Sequence, residues 1–590
     1  PSQYMYSHGP GSVLETTAGP VIVEDMDSLF RGFVEKQDVR IGGRPGTLGI
    51  TDFEVKERRL SLALQGARLV RLPSNQELGA NDIRPIYPTH GRIPHWSLCE
   101  THGILYQGWR GGRYRPCWRC RQVYQDTYGG RMPWKEITRI AARHASRFVS
   151  VCSDGHLHDV PWKELVCSDD CEKTWLSWGG GGQRISRVFV RCRGCDGSRN
   201  LGEMYGTDHS CSGRHWHTHS VQECNVPARI QQRGAAGLWI PEIESSLDIS
   251  GLPHSVFEAL NNASLVAPLK FMKSAGLELS PKTLLGAITS SSLPAATKNA
   301  LKRRAEDPSR WPLLEAAIES EVYGAPPDGD LREDEFRALL DAAINGSPPP
   351  PVFPEDARES VLRVDPNSPY DLDIGEGMVL QVVPIERLRV VHALIGFRRE
   401  VSPDREASLV PLSFEREGPW FPAMENFGEG VFIHLVEGSA PLESERSGIW
   451  HRRSLADPKS HPVHIWWHTL SHQLIDLLGL DSGFSSASIR ERTYLMEDEG
   501  GAKGGLLLYT AQPGGDGTLG GLVGIAKDRG AMGSLLRRSL SESEVCSNDP
   551  LCEEAAETND GAACYACCLI SETSCEHRNK MLDRLILKGL

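Results

Sequence analysis

The sequence predicts a multidomain protein of mixed α/β class. In it, cysteine-ligated ribbon and knuckle modules are inserted in an α+β body, joined by a helical insertion and a C-terminal α/β domain. Three observations lead there. Sixteen cysteines fall into two groups, ten between residues 91 and 245 and six in the last fifty residues. Between them, apolar residues recur at three- and four-residue spacing from about 250 to 345, and long alternating apolar runs follow from 350. Length divides the 590 residues into several units, and the boundaries fall at 1–90, 91–245, 246–348 and 349–590.

Residues 1–90 mix short apolar runs with Gly and Pro and read as a small α/β or β-rich unit. The stretch 91–245 opens with Cys99-x-x-His102 and, fifteen residues on, Cys117-x-x-Cys120, the spacing of a Cys3His zinc knuckle. A second set follows: Cys192-x-x-Cys195 with Cys171 and Cys211 as partners, while Cys167 and the histidines from His215 to His219 compete for the same positions. Cys152 and Cys224 stand alone and read as small buried hydrophobes.

The same region is basic. From Arg92 to Arg147 there are eleven Lys/Arg against three Asp/Glu, interleaved with Tyr106, Trp109, Tyr114, Trp118, Tyr124 and Tyr128. Guanidinium groups suit phosphates and aromatic faces stack on unpaired bases, so Arg110, Arg113, Arg115 and Arg121 are the candidate DNA-binding residues. The bland counterpart is a solvated basic face over an aromatic mini-core. His156-x-His158-Asp159 approaches the HxHxDH pattern of metallo-β-lactamase-fold hydrolases but lacks its spacing and final His. A metal-dependent hydrolase or nuclease using His156, His158 and Asp159 is therefore the alternative reading, and structural or DNA-facing histidines the favoured one.

Residues 246–348 read as four or five amphipathic helices, closed by the stiff linker SPPPPVFPEDA. Beyond it, MVLQVVPIERLRVVHALIGFRRE and GPWFPAMENFGEGVFIHLVEG read as strands and HIWWHTLSHQLIDLLGL as a helix. His468 and His472 share one helix face, but Thr469 stands where a zinc protease needs its glutamate, so both read as structural. The tail gives CSNDPLC, a spacer, then CYACC and SETSCEHRN. Cys546, Cys552, Cys564 and Cys567 fit a tetrahedral zinc site, with Cys575 as a reserve ligand and Cys568 packed away. NKMLDRLIL reads as a final amphipathic helix.

Composition excludes several classes. The net charge of −13 disfavours a nucleic-acid coat protein, and no apolar run reaches the length of a membrane span. PSQYMYSHGPGSV is not built as a signal peptide, which places the chain in the cytoplasm with its thiols reduced. No GxxxxGK[ST] occurs, so these residues carry no P-loop ATPase cradle.

The run CSNDPLC…GAACYACCLISETSCEHRNKMLDR resembles the C-terminal zinc-binding domain of MrfA-type DNA helicases. SQYMYSHGPGSVLET, GHLHDVPW, HTLSHQL, SIRERTYL, LLLYT and GTLGGLV extend the likeness, which is greatest to the DrmB proteins of the DISARM anti-phage system. The resemblance implies a non-catalytic, zinc-binding (Zn2+) partner of the helicase DrmA. The heterodimer would engage foreign DNA directly or through the helicase, and the zinc knuckles would brace it.

Overall fold

The computed structural model describes residues 2–17, 19–26, 28, 40–41, 44–45, 53–72, 89–110, 112–129, 134–167, 171, 175–180, 184–249, 256, 259–260, 262–308, 310–322, 330–345, 362–375, 377–402, 405–412, 419–437, 446–481, 485–498, 501–510, 512–513, 520–558 and 561–587. The proline-rich linker and the first part of GTLGGLV lie outside them. The chain divides into two compact units built from interleaved segments. One comprises Pro1–Val55, Ala67–Glu244 and Ala393–Met424; the other comprises Lys56–Gly66, Ser245–His392 and Glu425–Leu590.

The first unit is made of short strands. Five of them, in the order Ser198–Asn200, Phe189–Arg191, Trp175–Gly179, Ile104–Gln107, Trp96–Cys99, form an antiparallel sheet. Trp96, Leu105, Trp162, Leu176, Val190 and the Cys192 side chain close over it as one core. A second small sheet sets Phe148–Val151 between Leu157–His158 and Arg229–Gln232. Buried Arg399 ties loops of this unit together by donating to the carbonyls of Gly155 (2.9 Å), Gly11 (2.7 Å) and Leu238.

Long elements make the second unit. Gly501–Thr510 pairs antiparallel with residues of Trp420–Leu435 and with Ile489–Asp498. The 21-residue strand Met378–Arg398 is rich in Val, Ile and Leu and is buried along most of its length. The helix Pro462–Asp481 covers one face of the sheet, burying Trp466, Trp467, Leu470 and Leu474 with Trp450. Phe336 and Leu339 of the helix Leu331–Asn345 cover the other. Glu335 of that helix holds Arg492 bidentately at 2.6 and 2.7 Å, with both side chains fully buried.

Four further helices, Ala263–Ser274, Pro281–Ser290, Ala295–Glu306 and Trp311–Glu321, surround a core of their own. Ser280 and Thr283 form a capping box ahead of Pro281, a local reason for that helix to begin there. The expected final helix is not formed. Residues 584–587 make only a 3-10 turn, because Arg578, Asn579 and Met581 take left-handed φ values that break helical geometry. Among the described residues no helix is long and apolar enough to cross a membrane.

Candidate metal centres

Cys99 ends the strand Trp96–Cys99, His102 sits in the following turn, and Cys117 caps the helix Trp118–Tyr128, which carries Cys120 in its first turn. His102 Nδ1 lies 3.5, 3.5 and 3.4 Å from the sulfurs of Cys99, Cys117 and Cys120, and Cys99 and Cys120 are 3.5 Å apart. Zinc–sulfur bonds of about 2.3 Å give tetrahedral edges of about 3.8 Å, slightly shorter where a nitrogen takes part. These spans fit one ion. The turn depends on Gly103 at φ +57, where an added Cβ would stand 2.7 Å from the carbonyl oxygen of Trp178.

Cys167, Cys171, Cys192 and Cys195 form a second group. Cys171 and Cys192 stand 3.3 Å apart, and the Gly194 N–H donates to Cys192 Sγ. The expected fourth member, Cys211, is elsewhere, and Cys167 holds its position. The reason is local: Cys167 ends the short helix Trp162–Val166, which packs with Cys192 in the same core.

Cys211 belongs to a group that the spacing of the sequence did not bring together, with Cys152, His156 and Cys224. Cys152 Sγ lies 3.2 Å from His156 Nδ1, and the Gln222 side-chain amide lies 2.9 Å from the other ring nitrogen. Gly213, at φ +63, lets the hairpin carrying Cys211 and Cys224 close: a Cβ there would fall 1.6 Å from the Gln222 carbonyl oxygen. Cys152 and Cys224 are thus members of a cluster and not isolated hydrophobes. The available signal was the Cys152-x-x-x-His156 spacing, whose partners lie more than fifty residues on.

In the tail, Cys546, Cys552, Cys564 and Cys567 converge, with sulfur–sulfur distances of 3.5, 3.8 and 3.7 Å for the pairs 546–564, 552–567 and 564–567. Fully buried Arg584 straps this loop by donating to the carbonyls of Ser543 (3.2 Å) and Glu544 (3.1 Å) and to the Asp549 carboxylate (2.5 Å). Burial raises the Cys564 thiol, but the Ala566 N–H and the Asn548 amide outweigh it and bring it to about 7. Cys568 is packed away, its sulfur accepting from Gln473. Cys575 does not join the four; it lies with His468, His472 and Glu491.

At the first of these sites the thiolate form is costly without a cation. Burial first, then the neighbouring sulfurs, push the Cys120 thiol up to about 12. A divalent ion that binds thiolates removes that cost.

The alternative catalytic trio does not assemble. His156 is taken by the cysteines, His158 Nδ1 donates to the Asp159 carbonyl (2.9 Å), and the Asp159 carboxylate holds His95 at 2.6 Å. His95, His158 and Asp159 line an open pocket of about 520 Å3 instead. Arg110, Arg113, Arg115 and Arg121 all lie exposed, the first two paired across a two-stranded hairpin. Trp118 and Tyr128 are about half exposed, whereas Tyr106 is buried and joined through Tyr114 to His144. The aromatic residues thus divide between surface and mini-core.

Comparison with known proteins agrees with this chemistry. A family model described as a domain of unknown function (DUF8724) matches residues 1–240, and the MrfA Zn-binding domain matches residues 470–568. With the thiolate-rich donor sets, this defines the class: a zinc protein with an MrfA-type zinc-binding domain. The chain is also 30% identical over 484 residues to the DISARM protein DrmB of Bacillus paralicheniformis, covering 75% of this chain and 80% of that protein. The chain belongs to the DrmB family. A crystal structure of the DUF1998 helicase MrfA bound to DNA matches at 10% identity and a TM-score of 0.17, over 32% of this chain and 20% of that one, too low to carry an argument.

Proposed function

We propose that this chain is a non-catalytic, zinc-braced subunit of DISARM defence, pairing as a heterodimer with a DrmA-type helicase in a DNA-binding complex. The observation that carries the reading is its likeness to DrmB over three quarters of its length. Two features support it: the sequence holds no P-loop motif, and His156, His158 and Asp159 point to separate partners instead of a common reacting centre. The zinc ligands in this reading are Cys99, His102, Cys117 and Cys120; Cys167, Cys171, Cys192 and Cys195; Cys152, His156, Cys211 and Cys224; and Cys546, Cys552, Cys564 and Cys567. Their role is architectural: each fixes loops that have too little apolar surface to order themselves.

Co-expression with a DrmA-type helicase, followed by affinity purification of this chain, tests the reading. A stoichiometric complex that retains bound zinc and holds DNA more tightly than the helicase alone is expected. Failure to co-purify, or a nuclease activity of this chain alone that is abolished by His156→Ala, would overturn it.

A further inference from the structure

The helix Pro462–Asp481 sets His468 and His472 one turn apart, and the strand Ile489–Asp498 presents Glu491 to the same point. Cys575 arrives on the loop that follows the four-cysteine knuckle. All four side chains are buried. His468 Nε2 lies 3.2 Å from Cys575 Sγ and 3.1 Å from Glu491 Oε1, and His472 Nε2 lies 3.5 Å from the same oxygen. The four donor atoms fall within 4.8 Å of one another. A tetrahedral ion with bonds of about 2.0 Å to N and O and 2.3 Å to S has edges of about 3.3–3.6 Å. The spacing fits.

Hydrogen bonds set the chemical state of each donor. His468 Nδ1 is 3.0 Å from the Met581 carbonyl oxygen, and His472 Nδ1 is 2.7 Å from that of Cys568. A carbonyl can only accept, so each Nδ1 carries a proton, and Nε2 is the ring atom that faces the centre and would supply the lone pair to an ion. His472 Nε2 is buried without a hydrogen-bond partner. Cys575 Sγ accepts the N–H groups of His577 and Asn579, both at 3.2 Å, which orient its sulfur toward the other three donors. That loop holds Arg578, Asn579 and Met581 at φ of 56 to 58°, a strained conformation for side-chain-bearing residues. Glu491 accepts from the Glu576 N–H (3.1 Å) and the Ser471 hydroxyl.

With an ion bound, Glu491 as a carboxylate and Cys575 as a thiolate would bring two negative charges into a fully buried space that water cannot reach. We propose that His468, His472, Glu491 and Cys575 form a separate site for a tightly held divalent transition-metal ion of the zinc class. Two charges on the ion cancel two on the ligands, so the centre is neutral and tolerates full burial. The four-cysteine knuckle carries excess negative charge with its ion and keeps Cys564 and Cys567 only partly buried. With four protein donors and no opening, the ion locks the helix, the strand and the C-terminal loop together and leaves no position for substrate. The MrfA Zn-binding match covers residues 470–568 and so includes neither His468 nor Cys575.

Anomalous diffraction at the zinc edge from crystals of the full chain, purified without added metal, tests the proposal. A peak among the four donors is expected. In parallel, elemental analysis of Cys575→Ser and His472→Ala should show one metal equivalent fewer per chain than wild type, with the four-cysteine knuckle still loaded. A map with peaks at the cysteine clusters and none here, or an unchanged metal count in folded variants, would overturn it. Two protonated histidines paired with Glu491 would give that negative map. Where a variant does not fold, the wild-type map alone decides.

Discussion

The knuckle region at 91–245 and the sheet-and-helix body of the second unit solve the same problem with different materials. In the knuckle region the named strands between Trp96–Cys99 and Arg229–Gln232 run two to five residues, and Cys99, Cys117, Cys120, Cys152 and Cys192 are themselves among the buried residues. In the body, strands reach 21 residues and a 20-residue helix buries Trp466 and Trp467 completely. Short strands with small cores cannot offset the entropy of ordering their loops, so there the ion substitutes for apolar burial. In the body, apolar burial suffices, and a metal would fasten elements that already pack.

That contrast makes metal removal the strongest test. Structural zinc contributes about 10–16 kcal/mol of apparent binding energy in small knuckles, and there binding energy is folding energy. Stripping metal with a strong chelator, or Cys117→Ser with Cys120→Ser, should abolish amide protection in Trp96–Cys99 and Ile104–Gln107. The strands Met378–Arg398 and Gly501–Thr510 should keep theirs. Hydrogen exchange read by mass spectrometry checks both regions in one experiment. Uniform loss across the two would break the comparison.

The same contrast explains what could be read from the sequence. Where two ligands sit three residues apart and the partner pair is near, as in Cys117 and Cys120 with Cys99 and His102, spacing alone finds the group. Cys152 and His156 lie on one segment and Cys211 and Cys224 on a hairpin more than fifty residues on, and the two are brought together by the pairing of Phe148–Val151 with Arg229–Gln232. Nothing local marks that convergence. The exchange of Cys167 for Cys211 has the same origin, since a short helix end decides it. Periodicity announced the helices of 263–345 and the long strands, because burial of one face repeats at a fixed interval. It misread residues 579–587, where Asp583 and Arg584 are buried to brace the tail and Met581 supplies a carbonyl to His468. An apolar pattern that serves a loop is indistinguishable from one that serves a helix.

In the body, the next largest effect belongs to the buried ion pair. Arg492 donates twice to Glu335 and also to the hydroxyl and carbonyl of Ser245. Arg492→Met leaves Glu335 charged and buried, which costs about 3–5 kcal/mol. Adding Glu335→Leu should recover most of that loss, because an apolar pair of similar volume avoids the desolvation penalty. Denaturant-dependent hydrogen exchange of Ile489–Asp498 measures both variants. A double variant no better than the single one would place the loss in packing rather than charge.

A smaller, pH-dependent effect belongs to Glu57. Its carboxylate caps the helix Arg58–Ala63, and burial first, then Asp248, raise its pKa from 4.5 to about 7. Between those values the folded chain holds a proton that the unfolded chain has released, so stability falls as pH rises through that window. At about 1.4 kcal/mol per unit, the loss reaches about 3 kcal/mol above pH 7. Glu57→Gln keeps an acceptor for the Leu60 N–H and cannot ionise. Its helix amides should therefore keep at pH 8 the protection they have at pH 5, while those of wild type lose it. Parallel pH profiles would refute the assignment.

The smallest effect on stability should come from the exposed arginines of the knuckle region, and it separates surface from framework there. Arg113, Arg115 and Arg121 are exposed. Reversing all three to Glu should leave each thermal transition within about 0.5 kcal/mol, as for ordinary surface substitutions. If they meet phosphates, the affinity of the helicase complex for DNA should fall. Its logarithmic salt dependence should then flatten by about 0.9 for each phosphate no longer neutralised on duplex, or by about 0.7 on a single strand. Measured separately on duplex and on single-stranded DNA, the form whose slope changes is the one the patch meets. An unchanged slope with unchanged stability would leave the arginines as a solvated face, and the zinc clusters beneath them would then hold a framework that DNA does not touch.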